Sequence, residues 1–256
     1  APDACQTRRA HEMNIWRYID QMLGPPLCQL CGAEGIGPEI CAGCYRDLPR
    51  ARSVCPLCAR PVPVEGVCPA CSLRRPLYDR ARVPFIYDFP VNRLIRRLKY
   101  GGARSHGRLL GELTGHALKR NRSLPRVIVP VPLHRKRLSQ RGFDQALSIA
   151  NSVARITGST LMAGLCVRRR DTPPLWPLSA ADRRRLLRGA FLCRGRAPAS
   201  VAIFDDILTT GATADAMART LRSAGADQVE VWAVARSPGA RLRRRRRRNA
   251  APGPEK

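Results

Sequence analysis

The stretch VAIFDDILTTGAT, from Val201 to Thr213, places the strongest constraint on what this chain can fold into. Its first four residues are apolar and predict a buried strand, because the run is short and rich in residues that favour strands. Two adjacent acids, Asp205 and Asp206, follow that strand. Beyond Thr213, apolar residues recur at helical spacing. The stretch therefore predicts a strand, a polar loop and a helix in direct succession.

The loop of this unit has the features of a phosphate-binding site. Loop N–H groups and a helix N-terminus attract anions. Gly211 lets the backbone approach a ligand closely, and the hydroxyls of Thr209, Thr210 and Thr213 can add donors. An acidic pair beside such a loop suits the hydroxyls of a sugar ring, or a bound Mg²⁺. The alternative interpretation is an ordinary turn between a strand and a capped helix.

Eight of the eleven cysteines stand in four CxxC pairs, separated by nine, ten and nine residues. Each pair can place two thiolates on one metal ion, and two pairs complete a tetrahedral site, so the spacing predicts two structural zinc sites. Sequential pairing, first with second and third with fourth, is preferred, although the sequence leaves interleaved pairing open. In order, the pairs are Cys28/Cys31, Cys41/Cys44, Cys55/Cys58 and Cys68/Cys71.

The chain is strongly basic, with a formal net charge of +27. Such a charge favours polyanionic partners, either nucleic acids or phosphorylated ligands. The alternative is a compositional bias that replaces lysine by arginine. Six of the arginines run consecutively from Arg243 to Arg248, in a tail that we expect to be disordered.

Several features bear on where the protein acts. CxxC pairs indicate metal binding in a reducing compartment. No apolar segment approaches the roughly 18 residues that a membrane span needs. Arg8 and Arg9 are not followed by the apolar run of a signal peptide. The chain begins without Met, and Met13 is an alternative start. The expected location is the cytoplasm.

Strands and helices are expected to alternate along the rest of the chain, which predicts a parallel α/β sheet with crossover helices. Ligands of such sheets bind beyond the carboxyl ends of the strands. A basic loop, Pro132–Arg137, follows one of these strands and is a second anion-site candidate. The helix end KYGG, residues 99–102, is a weaker one. The other predicted strands are Arg82–Phe89, Val127–Val131, Leu161–Val167 and Val229–Ala235, and the predicted helices include Val91–Tyr100 and Gly107–Lys119.

The CxxC module, VPVPLHRKRLSQRGFDQA and VAIFDDILTTGAT, in this order, resemble the ComF family. The last of these also resembles the phosphoribosyl pyrophosphate (PRPP) signature of type I phosphoribosyltransferases. The resemblance implies a double zinc ribbon joined to a type I phosphoribosyltransferase-like domain, and a role in natural competence or DNA utilisation. Family members with a single four-cysteine unit support sequential pairing. The implied domains are an N-terminal extension (1–27), the double zinc ribbon (28–75), the phosphoribosyltransferase-like domain (76–240) and the Arg-rich tail (241–256).

The resemblance also implies roles for individual residues. Asp205 and Asp206 would hold the ribose hydroxyls, Thr209–Thr213 the 5′-phosphate, and Pro132–Arg137 would face the pyrophosphate, with Mg²⁺. The run Arg168–Phe191 would be a flexible loop that closes over the ligand. The implied PRPP-binding residues are Asp205, Asp206, Thr209, Thr210, Gly211, Ala212, Thr213, Pro132, Leu133, His134, Arg135 and Arg137, and the implied catalytic residues are Asp205, Asp206, Arg135 and Lys136.

Two comparisons with related sequences concern catalysis. The family usually has GFNQ where this chain has Gly142-Phe143-Asp144-Gln145, which puts an acid near the pyrophosphate loop. Purine-salvage transferases carry an Asp where this chain has Thr209, and the sequence identifies no acceptor base. We therefore expect PRPP binding linked to DNA uptake, with turnover left open. The alternatives are a non-catalytic protein that binds single-stranded DNA, and a regulator that senses PRPP.

Overall fold

The structure is a computed structural model that describes residues 26–35, 39–101, 105–121, 123–172 and 180–238. The side chains of residues 180 and 181 are not described. The predicted Arg-rich tail, nearly all of the predicted N-terminal extension and part of the predicted flexible loop lie outside these ranges. The chain divides into two compact units between Asp47 and Leu48, and this division separates the first four paired cysteines from the second four.

A parallel sheet forms the centre of the larger unit. Its strands run in the order β1-β8-β7-β3-β4, and β2 also pairs with β8. Every pairing in this sheet is parallel. A separate antiparallel pair joins β5 and β6. The described strands are β1 (Arg80–Arg82), β2 (Phe85–Ile86), β3 (Val127–Pro130), β4 (Thr160–Leu161), β5 (Cys166–Arg168), β6 (Phe191–Cys193), β7 (Ser200–Leu208) and β8 (Gln228–Arg236).

Helices flank the sheet, and the apolar residues that they bury against it recur at helical spacing. In the helix after the acidic pair, Ala214, Met217, Ala218 and Leu221 are all buried, as the sequence predicts. The predicted fold class, a parallel α/β sheet flanked by helices, is confirmed. The described helices are α1 (Ala42–Arg46), α2 (Pro69–Leu73), α3 (Val91–Tyr100), α4 (Ser105–Lys119), α5 (Arg135–Arg141), α6 (Gln145–Thr157), α7 (Ala180–Leu187) and α8 (Ala212–Ser223).

Strand boundaries differ from the expectations in several places. The strand expected over Leu161–Val167 is split into β4 and β5, and the one expected over Arg82–Phe89 is replaced by the short strands β1 and β2. Strand β7 continues past Phe204 to Leu208, so the acidic pair lies within it. The backbone pairing of β7 with β8 extends over the same residues and explains the added length, since Asp205 pairs with Ala233 and Leu208 with Arg236.

The run from Arg168 to Phe191 is more firmly held than the sequence suggests. Leu187, Ala190 and Phe191 are buried in the main hydrophobic core. Thr172 is buried as well, at 4% exposure. These residues therefore belong to the packed fold, although the resemblance implies a flexible loop over the whole run; residues 173–179 lie outside the described ranges. Among the helices that the structure describes, none is both long and apolar enough to cross a membrane.

Candidate ligand site at the carboxyl edge of the sheet

The two predicted anion-binding segments meet at one edge of the sheet. Strands β3 and β7 are parallel neighbours, with Pro130 opposite Phe204. The backbone N–H of Val131 donates to the carbonyl of Phe204 at 2.8 Å, which extends the pairing to the ends of both segments. Because the strands run in the same direction, the basic loop after β3 and the acidic pair of β7 emerge side by side. This edge of the sheet is where α/β proteins bind ligands.

Asp206 is held by a cation from another element. Its side chain is largely buried, and its Oδ2 lies 2.5 Å from Nζ of Lys99, at the end of α3. Burial lowers the pKa of Lys99, but the carboxylates of Asp206 and Asp205 more than offset this, so that its pKa is raised. The sequence suggests the end of α3 only as a weak phosphate site. The structure instead makes Lys99 the counter-ion of the acidic pair.

Asp205 lies in a different environment from its neighbour. Its side chain is half-buried, and its Oδ1 accepts a hydrogen bond from the backbone N–H of Asp206 at 2.8 Å. Burial and the adjacent Asp206 carboxylate raise the pKa of Asp205 to about 8. The two acids together therefore carry less negative charge at neutral pH than two separate carboxylates would. A bound cation would restore that charge.

The loop after β7 leads into α8 through Gly211, which has a φ of +85°, in the left-handed region. Thr209 and Thr210 are exposed, whereas Ala212 is buried and Thr213 is half-buried. The hydroxyl of Thr210 accepts from the N–H of Ala212 at 3.3 Å. The loop therefore presents hydroxyls to solvent at the start of a helix, as the sequence predicts for a phosphate site.

The loop after β3 is shorter than expected, because α5 begins at Arg135. The side chain of His134 caps this helix by accepting from the N–H of Lys136 at 3.4 Å. Arg135 and Lys136 are therefore on the first turn of a helix, where both are exposed. The basic side chains have an acidic neighbour, since Asp171 lies 3.6 Å from His134 and 3.9 Å from Lys136.

Asp144, the departure from the family's GFNQ pattern, has a structural role. Its carboxylate accepts from the N–H of Leu147 and from the N–H of Leu133, both at 3.1 Å. It thus caps α6 and fixes the loop after β3 at the same time. Burial raises the pKa of Asp144, and the two backbone hydrogen bonds counteract that effect. The N–H of Leu133 is engaged by this carboxylate and does not face a ligand.

Two arginines lie beside this loop: Arg137, which the resemblance already implies as a ligand-binding residue, and Arg168, which the sequence analysis names only as the start of a flexible loop. Arg137 donates to the backbone carbonyl of Thr172 at 2.8 Å, and Arg168 donates to the hydroxyl of the same residue. Burial and the nearby Arg137 lower the pKa of Arg168. Neighbouring guanidinium groups repel one another, and an anion between them relieves that repulsion. Arg168 also lines a cavity of about 810 Å³, whose other lining residues include Pro132, Leu133, His134, Arg135 and Arg169.

The eight paired cysteines form two separate clusters, one in each compact unit. Within each cluster the sulfur atoms lie within 4.8 Å of one another, as the ligands of a single metal ion must. The predicted sequential pairing is confirmed. Among the residues that the structure describes, each cluster offers four thiolates and no other donor, which matches a closed structural zinc site. The clusters are Cys28, Cys31, Cys41 and Cys44, and Cys55, Cys58, Cys68 and Cys71.

A family model described as "Double zinc ribbon domain" matches residues 19–72. This match agrees with the two clusters and confirms the predicted N-terminal module of the fold. The match begins before Cys28, the first cysteine of the module, and ends one residue after Cys71, the last.

Curated relatives match most of the chain. DNA utilization protein YhgH of Escherichia coli O157:H7 is 32% identical over 83% of this chain and 98% of the relative. Competence protein F of Haemophilus influenzae is 29% identical over 77% of this chain and 90% of the relative. Competence protein ComFC of Bacillus subtilis is 27% identical over 73% of this chain and 79% of the relative. The similarity therefore spans both the cysteine module and the sheet.

Proposed function

The chain belongs to the ComF family, and from this premise we propose that it binds PRPP or a related phosphoribosyl ligand together with Mg²⁺. We further propose that it acts in the cytoplasm, in the uptake or utilisation of DNA, in line with the names of its relatives. One observation carries the ligand proposal. The register of β3 against β7 brings a basic loop and an acidic pair to the same edge of the sheet.

Each part of a phosphoribosyl ligand has a matching group at this edge. Asp205 and Asp206 would hold the ribose hydroxyls, and Thr209–Thr213 would surround the 5′-phosphate. The pyrophosphate would lie in the 810 Å³ cavity, against Pro132–Arg137 and Arg168. A cavity of this size falls within the usual range for small-molecule sites, about 300–1,000 Å³.

The acidic pair also fits a magnesium ion, which takes carboxylate oxygens and ligand phosphates. When bound, Mg²⁺ would neutralise charge on the pyrophosphate. Asp206 is already paired with Lys99, so the ion or the ribose would compete with that ammonium group. Arg135 and Lys136 are exposed on the first turn of α5 and could stabilise a departing pyrophosphate. The proposal is one of ligand binding, because no residue in the described part of the chain stands out as a general base for an acceptor substrate.

Arginine substitutions test the pyrophosphate part of the proposal. Arg168→Ala should weaken binding of both PRPP and inorganic pyrophosphate by about tenfold or more, since a hydrogen bond to a charged group contributes about 1.5–3 kcal/mol. Arg155→Ala is the matched control, because Arg155 is exposed and pairs with Glu112 on the helices α6 and α4. Equilibrium dialysis measures both. If the wild-type protein bound neither compound, the proposal would be refuted.

A second candidate function is the binding of single-stranded DNA. It is supported by a cavity of about 410 Å³ beside α7 and α8, whose lining includes Arg74, Arg184, Arg188 and Arg219. Clustered arginines suit a phosphate backbone. In a plot of log affinity against log salt concentration, the slope should be about −0.7 for each phosphate that the protein neutralises. Arg188→Ala with Arg219→Ala should reduce this slope. An absent or salt-independent signal would remove the candidate. A PRPP-sensing regulator would use the first site alone.

A cellular assay separates these roles. Asp205→Asn with Asp206→Asn should abolish DNA uptake or growth on DNA if ligand binding serves that process. The arginine double variant should have the same effect only if DNA is bound directly. Wild-type phenotypes from the acidic double variant would mean that the ligand site has no part in the cellular role.

A further inference from the structure

We propose that Arg236 is a positioning residue that couples the second cysteine cluster to the loop after β7. The inference rests on the proposed function only in treating that loop as the phosphate-binding segment. Arg236 is the last residue of β8, and it is 2% exposed although its side chain carries a permanent charge. A buried guanidinium of this kind requires partners that satisfy its donors.

The hydrogen bonds of Arg236 connect two parts of the chain that are far apart in sequence. Its Nε donates to the carbonyl of Cys58 at 2.7 Å, within the second cluster. Its Nη1 donates to the carbonyl of Leu208 at 2.7 Å and to that of Thr209, at the start of the loop after β7. The carbonyl of Ser237 lies at 3.2 Å from the same nitrogen. One planar group thus fixes a metal-binding turn and a candidate ligand loop in the same geometry.

The charge of Arg236 fits this position. Four thiolates on one zinc ion leave a net formal charge of −2, and such clusters are stabilised by surrounding donors and positive charge. Arg236 hydrogen-bonds the backbone of a cluster residue, so its own buried charge gains a compensating partner when the metal is bound. The buried charge of Arg236 is therefore stabilised most when the second cluster holds its metal.

The turn that carries Cys58 is itself packed against the sheet. Ala59 has a φ of +54°, in the region that favours glycine, and the corresponding position of the first cluster is Gly32, with a φ of +78°. Ala59 is 1% exposed and belongs to the main hydrophobic core. Burial of its methyl group offsets the cost of the left-handed backbone. The second cluster thus forms part of the structure that supports the sheet.

The buried side chain of Tyr78 lies close to the same loop. A Cβ placed on Gly211 would lie 3.3 Å from the Oη of Tyr78, a residue that is 4% exposed. The cluster and the loop also share the wall of one cavity of about 250 Å³. Its lining residues include Cys58, Cys71, Tyr78, Thr210, Gly211 and Arg236.

Loss of metal from the second cluster should therefore loosen the loop after β7. The turn at Cys58 would no longer hold its carbonyl in place, and Arg236 would lose one of its fixed acceptors. The carbonyls of Leu208 and Thr209 would lose their anchor in turn. The first cluster belongs to the other compact unit and provides an internal comparison.

Hydrogen exchange on the full chain tests the inference without any ligand. Arg236→Lys should speed exchange of the amides in residues 208–213 by at least about tenfold, because an ammonium group cannot reproduce the planar set of donors. The amides of β3 should be unaffected. Arg82→Lys is the matched control, since Arg82 also makes several hydrogen bonds, to Glu230, Asn121 and Ser123. Equal exchange in the two variants, or faster exchange throughout the sheet, would overturn the positioning role.

Cysteine variants provide the second arm. Cys71→Ser should speed exchange of residues 208–213, and Cys44→Ser should leave it unchanged. The same response from both would contradict the coupling, and the arginine comparison decides the matter if Cys71→Ser does not fold. The proposed function fails separately. If the wild-type protein does not bind PRPP but the loop responds to Arg236→Lys, only the ligand is wrong; if PRPP binds and the loop does not respond, only the coupling is wrong.

Discussion

The Nζ of Lys99 lies 2.5 Å from the Oδ2 of Asp206, and this ion pair joins the end of α3 to strand β7. Both side chains are mostly removed from solvent, with exposures of 21% and 12%. The ion pair therefore stabilises the fold, and it also engages the Asp206 carboxylate, which we propose to contact the ligand.

Replacing Lys99 should be costly. Lys99→Met leaves Asp206 buried without its cation, and we expect a loss of about 3 kcal/mol in the free energy of unfolding. Lys136→Met is the control, because Lys136 is 69% exposed and 3.9 Å from Asp171, so that about 0.5 kcal/mol or less is at stake. Denaturation in urea measures both. Equal losses in the free energy of unfolding of the two variants would mean that the ion pair of Lys99 and Asp206 stabilises the fold no more than an exposed pair does.

The raised pKa of Asp205 predicts a pH dependence of stability. Between about pH 5 and 7.5 the folded protein keeps a proton on Asp205 that the unfolded chain releases, since the folded-state pKa is about 8. Stability from this group should therefore fall as pH rises, by up to about 1.4 kcal/mol per pH unit. Asp205→Asn should remove that slope. The difference between the two unfolding curves isolates Asp205 from other groups, and parallel curves would show that its pKa is unperturbed.

Metal content should reach two zinc ions per chain, given two complete Cys₄ clusters. Cys44→Ser and Cys71→Ser should each reduce the count to one, because the clusters share no ligand. Elemental analysis of the purified full chain measures this directly. A count of one in the wild-type protein would mean that one cluster is not a metal site.

Substitutions at Gly211 and Gly158 distinguish the cost of backbone strain from the cost of side-chain crowding. Both have positive φ angles, +85° and +74°, but a Cβ on Gly158 would meet nothing within 4 Å, whereas one on Gly211 would approach Tyr78. Gly158→Ala should cost about 1 kcal/mol, and Gly211→Ala should cost more. Adding Tyr78→Phe should recover part of the excess. Thermal unfolding of the three variants checks this, and equal costs at the two glycines would show that Tyr78 does not restrict the loop.

The sequence predicted the features that are encoded locally. The apolar run before Asp205, the helix that follows Gly211 and the spacing of the eight cysteines each depend on residues close together in the chain. Contacts between distant elements could not be predicted in this way. Nothing in the pattern around Lys99 or Arg236 indicates that the first pairs with Asp206 and the second with Cys58, because those contacts depend on how α3 and β8 pack in the sheet.

The role of Asp144 also depends on contacts that the sequence does not predict. As a departure from the family pattern, it looked like an obstacle to an anion, because its sequence neighbours place an acid beside the pyrophosphate loop. The structure directs that carboxylate to the backbone of Leu133 and Leu147. The sequence shows that an acid stands at this position, but the hydrogen bonds that decide its role arise only in the folded protein.

The most direct test of the account is calorimetric titration of PRPP, in the presence of Mg²⁺, into the full chain. We predict saturable binding to the wild-type protein and to Asp227→Asn, an exposed acid used as a control. Binding should be lost in Asp205→Asn with Asp206→Asn, once circular dichroism shows that this variant is folded. Absence of binding to the wild-type protein, or unchanged affinity in the acidic double variant, would contradict the central claim that a phosphoribosyl ligand occupies the edge where β3 and β7 meet.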